Sequence, residues 1–123
     1  MAISIEQREY VAHIVDLLQL IGPVESKSMF GGFGVFLEGL MFGLVAGNEL
    51  YLKVDAENRH DYEDLGLQAF SFEKNGKEFK MSCYQAPEEA MEDAELLSAW
   101  ASNAYGAALR AAAKKGGKRK KRK

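Results

Sequence analysis

Apolar residues near the N-terminus recur at helical spacing. Val11, Ile14, Leu17, Leu18 and Ile21 fall on one face, and Ser4 with Gln7 three positions later forms a capping box that starts the helix. Gly22-Pro23 ends it, because Gly accepts a left-handed cap and Pro cannot extend the hydrogen-bond ladder. From Val24 the period changes to that of strands. Val24 to Phe30 alternates loosely, and Phe33 to Glu38, Leu40 to Ala46 and Glu49 to Val54 are short runs rich in aromatic and branched residues, punctuated at Gly39 and Gly47-Asn48. In the last run Leu50, Leu52 and Val54 share one face while Tyr51 and Lys53 share the other.

Asp55 suits the N-cap of a short helix through Leu65, closed by Gly66. Ala69 to Lys74 and Lys77 to Gln85 then flank Asn75-Gly76, the strongest short-range hairpin signal. Pro87 suits the first position of a closing helix, with Glu88, Glu89 and Glu92 near its positive end. Leu96, Leu97, Trp100, Ala101, Ala104, Ala108 and Leu109 carry an apolar stripe to about Ala113. The order predicts an α+β domain: an antiparallel sheet of hairpins with N-terminal, middle and C-terminal helices packed on one face.

A chain of 123 residues suits one domain that folds without disulfide or metal, and Cys83 is the single cysteine. No leader pattern opens the sequence and no apolar run approaches the length of a membrane span, so the expectation is a cytoplasmic protein with no membrane partner. The formal charge of −2 hides a segregation. Residues 1–113 contain eight basic and all 18 acidic residues, a net of −10. The last ten positions hold the other eight: Lys114, Lys115, Lys118, Arg119, Lys120, Lys121, Arg122 and Lys123. Residues 1–113 therefore read as the folded domain and 114–123 as a disordered basic tail. Such a tail neutralises phosphates without reading bases, because it lacks Asn, Gln and aromatic residues. The competing account of the tail is a solubilising extension.

Residue patterns that could carry chemistry are few and incomplete. Met29-Phe30-Gly31-Gly32-Phe33-Gly34-Val35-Phe36 has the look of a phosphate loop. Leu37, however, stands where a dinucleotide fingerprint needs its third glycine, and a Gly-Lys-Ser/Thr ending is absent. The glycines are better explained by a turn, a bulge or close backbone approach in a sheet. Cys83, His13 and His60 stand singly, without the local spacings of a zinc site. The acidic groups Asp61-Glu63-Asp64, Glu88-Glu89 and Glu92-Asp93 lie at helix starts and polar faces, with no apolar setting to raise a carboxyl pKa. The expectation is a non-enzyme with no cofactor, metal or catalytic residue. Phe33, Phe36, Tyr51 and Lys53 form the candidate partner surface.

The segments Met29 to Phe36, Gly39-Leu40-Met41-Phe42-Gly43-Leu44-Val45 and Leu50-Tyr51-Leu52-Lys53-Val54-Asp55 resemble the TfoX (Sxy) N-terminal domain family. Phe70, Phe72, Met81-Ser82-Cys83-Tyr84, Pro87 and Trp100-Ala101-Ser102-Asn103-Ala104 extend the resemblance over roughly residues 8–113. It implies a bacterial α+β domain of secretion-chaperone-like type. Longer members regulate DNA-uptake genes with the cyclic-AMP receptor protein and carry a second, helical domain to which nothing in residues 1–123 corresponds. No catalytic residue or cofactor transfers.

Two functional expectations follow. The first is an accessory regulator of transcription and competence that contacts a protein partner, such as a transcription factor, and holds non-specific nucleic acid through the tail. The alternative is a protein-interaction or self-associating module, for example a homodimer, with no nucleic-acid role.

Overall fold

A computed structural model describes residues 5–29 and 32–121. Helix α1 (Ile5–Leu17) tightens into a 3-10 turn (Leu18–Ile21), and Gly22 ends it at φ 139°. Six strands follow: β1 (Val24–Met29), β2 (Gly32–Leu37), β3 (Leu40–Ala46), β4 (Glu49–Lys53), β5 (Ala69–Lys74) and β6 (Lys77–Gln85). Helix α2 (Arg59–Glu63) lies between β4 and β5, and α3 (Ala94–Lys121) closes the chain. The strands form one antiparallel sheet in the order β1-β2-β3-β4-β6-β5. The α+β architecture expected from the hydrophobic pattern is thus present. Ser4 of the capping box and Phe30 of the first strand lie outside the described residues.

Turn chemistry sets the hairpins. Asn75 and Gly76 have φ of 55° and 78°, and Glu38 and Gly39 have 52° and 81°. Two successive positive φ angles give the mirror-image turn whose twist matches the flanking strands. Asn tolerates that region, whereas Glu38 pays for it with local strain.

Two helix boundaries differ from the sequence expectation. Asp55 does not cap a helix directly: its Oδ1 accepts from the Glu57 N–H at 3.0 Å, making a side-chain turn that delays α2 until Arg59. Pro87 leads into a separate 3-10 turn (Glu88–Glu92), and Asp93 is the true cap of α3. Its Oδ1 accepts from the N–H groups of Glu95 and Leu96, both at 3.1 Å. The helical backbone of α3 continues past Ala113 into the segment that composition separates as a basic tail.

The core lies between the sheet and the helices. Val11 and Ile14 of α1, Leu18 of the 3-10 turn, Val35 and Leu37 of β2, Val45 of β3, Leu50 and Leu52 of β4, and Leu97, Ala101, Ala104 and Ala108 of α3 pack together. Alanines on the sheet-facing side of α3 let its backbone approach closely. Leu109, assigned to this stripe by spacing, is instead 49% exposed. Trp100 is partly buried and sets its ring 4.8 Å from that of Tyr62. Between β2 and β3 the register steps from Val35↔Gly43 to Phe36↔Met41, so Phe42 is an extra, bulged residue. The bulge turns Phe42 into the core, fully buried, with its ring edge-on to Tyr105 of α3 at 6.0 Å.

Close backbone approach explains Gly32. A Cβ there would stand 2.3 Å from the Val45 carbonyl oxygen. That oxygen belongs to β3, held by ladders on both sides, and has no easy retreat. Gly32→Ala is expected to destabilise the domain by about 1–3 kcal/mol, read as a lower denaturant midpoint at unchanged slope.

Candidate functional site

Strand alternation gives the sheet a second face, turned away from α1 and α3. Val35, Val45, Leu50 and Leu52 point to the core. Their neighbours Glu25, Lys27 and Met29 of β1, Gly34 and Phe36 of β2, Met41 and Leu44 of β3, and Glu49, Tyr51 and Lys53 of β4 therefore share the open side. Gly34 forms its floor. A Cβ at that position would meet the Met29 sulfur, the Phe36 ring and the Met41 sulfur at 2.8–3.1 Å, so these three close over the bare backbone. Lys27 Nζ stands 5.1 Å from the Phe36 centroid, which places a cation over the ring. Tyr51 packs on Phe70 with centroids 5.0 Å apart. Gln85 donates to Glu49 at 2.5 Å. Phe36, Tyr51 and Lys53 are half-buried here, and Leu44 is almost covered.

This face unites three of the four residues singled out by sequence. Phe33 is the exception. It is only 7% exposed and lies within the core beside Val35 and Leu37, so it offers nothing to a partner. Met29, Met41 and Leu44 belong to the face and were missed. No run of alternation could have joined them, because Met41 and Leu44 are an odd three positions apart and share a face only through the bulge at Phe42.

On the other side, a polar strap joins β4 to α3. Arg110 donates from Nε to Asp55 Oδ2 at 2.5 Å and from Nη2 to Asp55 Oδ1 at 2.9 Å. Its Nε also stands 3.4 Å from Glu57 Oε2. The buried Asn58 accepts from the Asp55 N–H at 2.7 Å and donates to the carbonyls of Lys53 at 3.2 Å and Asn103 at 3.4 Å. A polar cleft of about 190 Å³ opens over these residues, between Asp61 and Gly106. The side chains of Asp55, Asn58 and Arg110 are each engaged by other groups of the protein, so the strap reads as a fastening.

The hydrogen bonds from Arg110 hold the Asp55 carboxyl down to about 2. A carboxyl lowered in the folded state stabilises fully above its unfolded value near 3.8 and loses that contribution as pH falls toward 2. The pair is partly exposed, at 28% for Asp55 and 40% for Arg110. Asp55→Asn is therefore expected to cost up to about 1 kcal/mol at neutral pH. It should also flatten the fall in stability between pH 4 and pH 2, followed by chemical denaturation across that range.

Nucleophilic chemistry finds little support. Cys83 is 3% exposed, and burial pushes its thiol up to about 11, with Lys53 opposing weakly. A thiol in that state is a poor nucleophile. His13 and His60 lie exposed on α1 and α2, and no group of three or more His, Cys, Asp or Glu fit for a metal occurs among the described residues. Burial also raises the pKa of Tyr62, whose hydroxyl has no hydrogen-bond partner among the described residues. Among those residues no helix is long and apolar enough to cross a membrane. Of the basic run, Lys114 is exposed. Lys115, Lys118, Arg119, Lys120 and Lys121 are described only as helical backbone, and Arg122 and Lys123 lie outside the described residues.

The model of the TfoX N-terminal domain family matches residues 16–108. The DNA transformation protein TfoX1 of Aliivibrio fischeri is 33% identical over 71 residues, which cover 58% of this chain and 34% of that protein. The DNA transformation protein TfoX of Haemophilus influenzae is 32% identical over 80 residues, 63% of this chain and 37% of that protein. The shared region thus spans little more than a third of each relative.

Proposed function

Because the chain belongs to the TfoX N-terminal domain family, we propose that it is an accessory regulator in a competence-related process, acting through protein contacts and a basic C-terminal run. The names of its relatives as DNA transformation proteins support the process. The observation that carries the mechanism is the charge segregation, with −10 on residues 1–113 and +8 on the last ten. An anionic body repels phosphate, so affinity for nucleic acid resides in the tail and is indifferent to sequence. The body contributes the contact surface on the open face of the sheet, where an apolar patch is rimmed by charge. Work at such a surface in the cytoplasm requires no cofactor and no bond-making step.

The test compares intact chain with chain lacking residues 114–123 for binding to random duplex DNA over a range of salt. Equal binding by the two would remove the tail from the mechanism.

A further inference from the structure

We infer that the open sheet face is a homodimer interface in which a second copy of this chain packs through a two-fold axis parallel to the strands, between β2 and β3. The inference names the occupant of the contact surface proposed above and rests on that reading.

Charge singles out a second copy. The body is strongly anionic, and two such bodies repel over most of their surfaces. The open face on β1–β4 departs from this balance. Its acids Glu25 and Glu49 are matched by its bases Lys27 and Lys53, around a centre of Met29, Phe36, Met41, Leu44 and Tyr51. Two copies can meet there without net repulsion.

The placement of the charges is also self-complementary. β1 and β4 are antiparallel to one another, so Glu25 at the start of β1 and Lys53 at the end of β4 occupy the same end of the face. They are three strand steps apart, about 14 Å at the usual spacing. A two-fold axis midway lays β1 over β4 and β2 over β3 of the other copy. Glu25 then faces the partner's Lys53, and by symmetry Lys53 faces the partner's Glu25. Lys27 meets the partner's Tyr51, and Phe36 meets the partner's Met41. Each contact occurs twice.

The experiment measures mass by sedimentation equilibrium for the full chain, for E25K, for K53E, and for an equimolar mixture of the two variants. Glu25 is exposed and Lys53 half-buried, so both replacements should leave the fold intact, which thermal unfolding checks. The full chain is expected to form a concentration-dependent dimer, and each variant alone, with like charges opposed, to associate at least about tenfold more weakly. Mixing E25K with K53E restores opposite charges at both contacts and should restore the dimer. So should the double variant, alone. A full chain that stays monomeric to its solubility limit would overturn the inference, as would a dimer indifferent to both replacements or a mixture that fails to recover. A monomer that still binds DNA through its tail would defeat the dimer alone and leave the regulatory reading standing.

Discussion

Removing residues 114–123 is expected to abolish binding to random duplex DNA, while the intact chain loses affinity steeply as salt rises. Each phosphate neutralised by a lysine or arginine releases condensed counterions, giving a slope of about −0.9 in log affinity against log salt per contact. The run offers eight cations. Proteins engaging about six to ten phosphates lose on the order of 10³–10⁵ in affinity between roughly 50 and 200 mM salt, and full engagement here would fall in that range. The truncated chain keeps −10 and should show no binding at any salt. Replacing the eight basic residues by glutamine gives the same loss without altering length. Fluorescence anisotropy with duplexes of unrelated sequence measures both slope and specificity. A strong preference among those duplexes would contradict a tail that touches only the backbone.

Phe42→Ala is expected to destabilise the domain by about 3–5 kcal/mol, the cost of emptying a fully buried aromatic site. Two losses combine. The ring leaves a void beneath α3 and abandons its edge-on contact with Tyr105. The bulge that aims position 42 inward also loses its packing reward, which favours a regular register between β2 and β3. Against the usual net stability of about 5–15 kcal/mol such a change is severe. Urea denaturation followed by the Trp100 fluorescence reads it, since Trp100 packs on the same core. Phe42→Leu should cost less, and an equal cost for both would show that the ring itself is irrelevant.

The hairpins were legible because their turns demand particular residues. Asn75-Gly76 and Gly39 mark positive φ, and the predicted bounds of β3, β5 and β6 coincide with those in the structure. The helix starts were less so, since several candidates compete for one cap. Asp55 and Pro87 both satisfy local rules, yet Asp55 is drawn into a turn with Glu57 and Asn58, and Asp93 takes the cap of α3. The bulge at Phe42 left no local mark, because it answers to packing against Tyr105 of α3, a contact between positions far apart in the chain. Phe33 and Phe36 show the same limit. Their odd separation puts them on opposite faces, but only the docking of the helices decides which face is covered. The Asp55–Arg110 strap links positions 55 residues apart and is invisible to any pattern of neighbours.

The lone thiol turns the sheet into its own clock. Cys83 sits on β6, paired to Lys53 of β4, and is shut from solvent. An alkylating reagent gains access only when this part of the sheet opens, so its rate of attack counts those openings. With one thiol in the chain, a single mass shift reports them without any added label.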